Sequence, residues 1–441
     1  MESVCRKDGK NKLENITIMD GITLNIIETD KFKTNYLSFN FVAPLDKSTA
    51  AHNALVPQVL IRGTRKHKDL ASIKNVLDDL YAASVEGRVY RRSDYQVCGM
   101  TASWLDGKYS IDDTDIMEGA LDIVEELLFD PYLENGVFCE NYVESEKKIL
   151  IDDIRAMINN KTSYAIRRCQ QEMCIDEPFG INENGDEESV EKITPVSLFE
   201  AYEKMLKESV VEIFYVGKCD AEKMKNRIES MFKNVKRSYK PLGASLVKRD
   251  VEKVKEIVEK CPVAQGKLSL GFRTGTVLGE DEYKALPVFF EMYGNSPVSK
   301  LFMNVREKLS LCYYCRAIPE GMKGLMVVTS GIEVKNKEKA QNEILAQFEA
   351  VKNGDFTEEE LLLAKKSLKN AYSELDDSPA ALEGWYLTRR LAGLSSTHES
   401  VCSDFMSVSK DDVVSVANKI KLDTVYFLEG TLEGDAEDDE E

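Results

Sequence analysis

The chain has 441 residues, 43% hydrophobic and 31% charged, which excludes a globally disordered polymer and is too long for one core. Lys and Arg total 58 against 77 Asp and Glu, a net charge of −19 that repels phosphate backbones and anionic lipid and sets aside nucleic acid and membrane surfaces as partners. No apolar run approaches the ~18 residues of a membrane span, residues 1–10 lack an apolar signal stretch, and ten scattered cysteines read as reduced thiols, so the expected compartment is the cytoplasm.

Residues 15–28 and 35–42, rich in Ile, Thr, Leu and Phe, predict strands, and 53–61 and 70–82 predict helices. A hairpin is expected over 84–104, with Gly87 and residues 91–94 as turn material. Residues 115–129 place Ile116, Ala120, Ile123, Leu127 and Leu128 on one helical face before Asp130 and Pro131 stop it. A second long helix is expected from about 140 to 173, Thr194 and Pro195 open another, and 210–216 reads as a buried strand.

The second half repeats that order. A strand at 267–274 precedes helices at 283–293 and 299–308, strands at 312–318 and 325–333, and helices at 336–352, 357–375 and 378–394; Ser409 caps a helix to 420 before a strand at 424–428. An offset near 215 residues is far beyond the roughly 20–50 of a solenoid and indicates one duplicated domain. The expected organisation is an N-terminal segment 1–14, a first domain 15–235, a linker 236–264 that can contribute a strand, a second domain 265–430 and a disordered acidic tail 431–441.

Three patterns carry a resemblance: Leu60, Ile61, Arg62, Gly63 and Thr64 after an apolar helix; PFGINENGDEE at 178–188 leading into VEKITP at 190–195; and LFMNVREKLSLCYY at 301–314. In order within a duplicated domain, they are similar to the M16 family of metallopeptidases, the insulinase and mitochondrial-processing-peptidase group. The resemblance implies an α+β fold of two homologous LuxS/MPP-like domains, each a mostly antiparallel sheet packed with helices, and four such domains enclosing a peptide chamber.

Cleaving members carry H-x-x-E-H before the Gly-Thr pair, two imidazole ligands and a base that deprotonates the zinc-bound water, with a further acidic ligand from a later helix. Here the five positions are Ala54, Leu55, Val56, Pro57 and Gln58, and the later acidic pair falls on Glu146 and Asp153. His52, His67 and His398 are not paired at i, i+4, and no shift of register restores a base at Pro57. The reading is therefore a pseudopeptidase without catalytic residue, cofactor or metal; a zinc peptidase with a cryptic site is the contrary reading.

What the resemblance leaves is binding equipment. Arg306 and Tyr313 stand at the family spacing of an Arg and a Tyr that grip substrate backbone, and a guanidinium and a phenol suit backbone carbonyls. The plain alternative, a solvated helix-end cation and a strand aromatic, stays open. The sheet edge at 84–90 is where the family adds a peptide strand, or an ordinary edge. Cys312 and Cys315 are expected on opposite faces of a strand, hence chemically idle, and Cys169 and Cys174 as core or surface thiols. No phosphate-binding glycine motif is present.

The expected partner is an active M16 paralogue in a heterodimer that completes a chamber around a peptide ligand; a homodimeric chaperone-like clamp is the alternative. DEESVEKITP at 186–195 and NVREK at 304–308 are further similar to bacterial M16-like proteins associated with 5-aminopentanol modification of elongation factor P, which implies a place in that pathway.

Overall fold

A computed structural model describes residues 12–432. The expected N-terminal segment up to residue 11 and the acidic run from residue 433 lie outside the described residues. The chain divides into two compact units: the described residues up to Ile154 with Ile181–Ala244, and Arg155–Gly180 with the described residues from Ser245 onward.

In the first unit, β1 (Lys12–Met19) and β2 (Ile22–Glu28) form an antiparallel hairpin. The single strand expected over 15–28 is thus two, because Asp20 and Gly21 make a tight turn in which Gly21 takes φ +75°. β3 (Thr34–Pro44), α1 (Ala50–Leu60) and α2 (Leu70–Asp79) follow. The hairpin of β4 (Ser84–Arg92) and β5 (Tyr95–Leu105) turns at Ser93 and Asp94, and Gly87 lies inside β4 rather than in a turn.

α3 (Ile116–Phe129) starts where the Asp115 carboxylate accepts from Glu118 N at 3.2 Å and buries the expected apolar stripe. After the short pair β6 (Leu133–Glu134) and β7 (Val137–Phe138), the long helix expected over 140–173 is broken into α4 (Glu140–Ala156) and α5 (Lys161–Met173). Asn160 is the reason: it leaves helical geometry and accepts from Ser163 N at 2.9 Å, opening a new helix. α6 (Glu187–Glu191) and α7 (Pro195–Glu208), capped by Thr194, lead to β8 (Val210–Gly217) and to α8 (Ala221–Phe232), capped by Asp220.

β9 (Lys255–Cys261), drawn from the expected linker, and β10 (Gly266–Arg273) begin the second unit's sheet. α9 (Ala285–Phe290) runs on into a π-helical turn, and β11 (Tyr314–Glu320) and β12 (Leu325–Ile332) form a hairpin. α10 (Lys337–Lys352), α11 (Glu358–Glu374), α12 (Pro379–Leu391), α13 (His398–Ser407), α14 (Lys410–Lys419) and β13 (Lys421–Gly430) complete it.

The duplication is explicit in strand order. The first sheet runs β1-β2-β8-β3-β5-β4 and the second β11-β12-β10-β13-β9. Reversed, the second reads β9-β13-β10-β12-β11, so each strand takes the place of its counterpart in chain order, and β1 is the single addition. Pairing matches too: β2 with β8 and β9 with β13 are parallel, and the remaining neighbours are antiparallel.

Each sheet buries one face against helices. Leu37, Phe39 and Phe41 of β3 pack with Leu55, Val59, Val124 and Leu128, and Leu268, Leu270 and Phe272 of β10 pack with Phe289, Ile344 and Phe348. The second sheet is covered on its other face as well, by α5, whose Ala165, Cys169 and Met173 cluster with Leu325, Val327, Tyr426 and Leu428. Gly271 permits this approach, because a Cβ there would collide with the Met173 side chain.

Candidate functional site

The five positions at which the resemblance leads one to expect a zinc motif lie on α1. Ala54, Leu55, Val56 and Pro57 are buried and Gln58 is half-buried. A helix this apolar is a core element, and none of these side chains ligates a metal or accepts a proton from water. β4 presses against it: a Cβ on Gly87 would stand 2.8 Å from the Pro57 carbonyl oxygen and 3.2 Å from Gln58 Oε1.

Of the later acidic pair, Glu146 is buried on α4 and accepts from Arg62 Nη1 at 2.9 Å, while Asp153 is exposed. Burial raises the Glu146 carboxyl above its ordinary value, and the Arg62 charge and hydrogen bond recover only part of that. Arg62, just past α1, also lies over the Tyr142 ring, with Cζ 5.3 Å from the centroid. The arrangement is an ion pair, with the guanidinium as the cation facing Glu146.

The histidines occupy three separate places. His52 Nε2 is 3.1 Å from Ser197 Oγ, and burial lowers its pKa. His67 Nε2 lies 3.7 Å from Glu126 Oε2. His398 Nδ1 is 3.5 Å from Asp376 Oδ1, with the Trp385 ring centroid 4.0 Å away; burial lowers its pKa against the pull of Asp376. Among the described residues no three His, Cys, Asp or Glu side chains gather to hold a metal ion.

The second unit does bring its pair together. Arg306 and Tyr313 line one open cleft of about 420 Å³ with Glu307, Ser310, Cys312 and Asn336. Residues Leu301–Lys308 form a π-helical turn, not the α-helix expected, with Leu309 N donating to Asn304 O at 3.2 Å. Arg306 stacks over Phe302 with Cζ 4.8 Å from the ring centroid, and Nη1 lies 3.5 Å from Glu307 Oε1. Tyr313 is 47% exposed, and its backbone N–H donates to Gly331 O at 3.0 Å, which fixes the chain while the phenol stays outward.

Cys169 and Cys174 are both buried core thiols, and burial pushes Cys174 up to about 12. Cys312 lies outside the expected strand, because the chain bends at Tyr313 and β11 begins only at Tyr314. Strand alternation could not reveal this, since it applies only inside a strand.

Comparison with known proteins agrees with this geometry. The sequence profile described as Peptidase M16 inactive domain matches residues 192–368. A Bacillus subtilis protein named "Probable inactive metalloprotease YmfF" is 37% identical over 413 residues, covering 93% of this chain and 96% of that one. The crystal structure of a conserved protein from Enterococcus faecalis superposes with a TM-score of 0.87 at 27% identity, over 96% of this chain and 100% of that chain. A Pseudomonas fluorescens structure, described as a peptidase M16 inactive domain, has a TM-score of 0.78 at 17% identity, over 95% and 98%. No described helix is long and apolar enough to cross a membrane. With a relative named as a probable inactive metalloprotease 37% identical over 93% of this chain, and an inactive-domain profile over residues 192–368, the chain belongs to the M16 metallopeptidase family as a non-catalytic member.

Proposed function

We propose that the protein is a cytoplasmic non-catalytic subunit that pairs with an active M16 zinc-peptidase homologue and supplies one wall of a peptide-binding chamber. The observation that carries this reading is the contrast between the two units: the zinc-motif positions are packed into core, whereas Arg306 and Tyr313 remain exposed around one cleft.

Energetics favour a partner. A peptide in an open cleft exchanges hydrogen bonds to water for hydrogen bonds to protein, each worth about 0.5–1.5 kcal/mol net, and ordering consumes most of the gain. An opposing wall excludes water and strengthens the same contacts. The resemblance of residues 186–195 and 304–308 extends the proposal to the modification pathway of elongation factor P.

Affinity purification of the full chain from native lysate, with mass spectrometry of what co-elutes, tests the pairing. A stoichiometric M16 protein carrying H-x-x-E-H supports it. Recovery of a homodimer that binds peptide unaided overturns it in favour of a self-sufficient clamp.

A further inference from the structure

A cavity of about 300 Å³ opens in the first unit, where β3 and β5 meet α7 and the loop that enters α1. It shares no residue with the zinc-motif positions of α1 or with the cleft at Arg306. Its floor is apolar, with Phe41, Cys98 and Met205 buried and Ala43 in the wall. The amides of Asn53 and Gln96 also line it, but Asn53 Nδ2 donates to Gln96 Oε1 at 3.0 Å and Gln96 Nε2 donates to Ala50 O at 2.9 Å, which fixes that wall in place.

The rim carries two charges of each sign. One pair is closed, since Lys240 Nζ lies 2.7 Å from Glu208 Oε2. The other two charges are exposed and open. Asp46 accepts from Ser48 N at 2.8 Å and from Ser48 Oγ, but both bonds go to Oδ1 and leave Oδ2 available. Lys204 stands in no ion pair among the described residues. We propose that this cavity binds a free apolar α-amino acid, with its side chain on the apolar floor, its carboxylate at Lys204 and its ammonium at Asp46.

The occupant's class follows from the three parts of the site. A hydrocarbon side chain gains dispersion contacts with Phe41, Cys98 and Met205 and leaves water. A carboxylate alone or an ammonium alone faces one open rim charge of its own sign, whereas a zwitterion presents the opposite sign to each. The Ser48 bonds hold the Asp46 carboxyl below its ordinary value, so it is ionised at neutral pH. Both rim groups are exposed, and the ligand's charges therefore keep part of their hydration. A volume at the lower end of the roughly 300–1,000 Å³ of ligand pockets suits a single amino acid rather than a peptide.

Isothermal titration of the full chain with L-leucine and L-phenylalanine tests the proposal, with isocaproate, which is leucine without its ammonium, and isoamylamine, which is leucine without its carboxylate, as companions. At least one amino acid is expected to bind saturably, one molecule per chain, and each companion at least about tenfold more weakly than leucine, because each forfeits a charge-assisted contact. Lys204→Ala, a change at an exposed position, and Ala43→Phe, which fills the cavity, should each weaken amino-acid binding by about tenfold or more. No saturable binding of either amino acid up to about 10 mM overturns the proposal. Companions that bind as well as leucine overturn it too, as does unchanged affinity in Lys204→Ala, which decides the matter even if Ala43→Phe folds poorly.

Discussion

Arg62 Nη1 lies 2.9 Å from Glu146 Oε1, an ion pair with only 23% and 9% of the two side chains exposed. A carboxylate of the family's acidic pattern is thereby answered by a cation of the chain itself. Arg62→Ala leaves Glu146 buried without its counter-charge, and the remaining solvent access keeps the cost below that of a fully dry pair. The expected loss is roughly 1–3 kcal/mol, seen as a lowered urea midpoint with the fold unchanged by circular dichroism.

Zinc chemistry needs three protein ligands and an open position. Ala54, Pro57 and Gln58 provide neither the histidine ligands nor the base of the family motif. The purified, dialysed chain is expected to hold less than stoichiometric zinc and to hydrolyse no peptide alone. Metal analysis and a fluorogenic peptide assay check this, and one tightly held zinc with chelator-sensitive activity would reverse the reading.

A second buried ion network anchors α5 in the second unit. Glu177, with no exposed side-chain surface, accepts from Arg273 Nη2 at 2.8 Å and lies 2.8 Å from Lys323 Nζ, while Arg273 Nε reaches Asp423 at 3.0 Å. Glu177→Ala should cost about 3–5 kcal/mol, because two buried cations lose their shared anion.

The pH dependence of that network has a definite sign. Burial pushes Glu177 up, but the hydrogen bonds from Arg273 and Lys323 outweigh it and hold the carboxyl below its ordinary value of 4.5. A depressed folded-state pKa stabilises above the unfolded value and ceases to as pH falls through the folded one. Urea midpoints should therefore drop below about pH 4.5 in wild type, with a shallower drop in Glu177→Gln.

Arg306→Ala and Tyr313→Phe should each lower turnover by the reconstituted complex about tenfold without changing co-elution of the subunits, since a peptide hydrogen bond to a charged or phenolic group is worth about 1–2 kcal/mol. Steady-state assays beside a partner-only control measure it. Unchanged activity in both variants would make these residues structural.

Asn160→Ala removes the side-chain cap of α5, a 2.9 Å bond from Ser163 N, and is expected to destabilise by about 1 kcal/mol. Asn160→Asp, which keeps an acceptor, should recover most of that in the same melts.

The amino-acid sequence by itself determined the features whose causes are local. The stripe of α3, the Thr194 and Ser409 caps, the repeated element order and the loss of the zinc motif all depend on residues within a few positions of one another. The break at Asn160 was legible in principle, since Asn is a favoured N-cap residue, but continuous apolar periodicity masked it. Tertiary structure alone decided what is joined across the chain: Arg62 with Glu146, 84 residues apart, and Glu177 with Arg273, 96 apart. It also decided that α5 covers the second sheet through the space left at Gly271. Periodicity and capping act over a helical turn or a strand pleat, whereas these contacts depend on how sheets and helices pack, which no local pattern encodes.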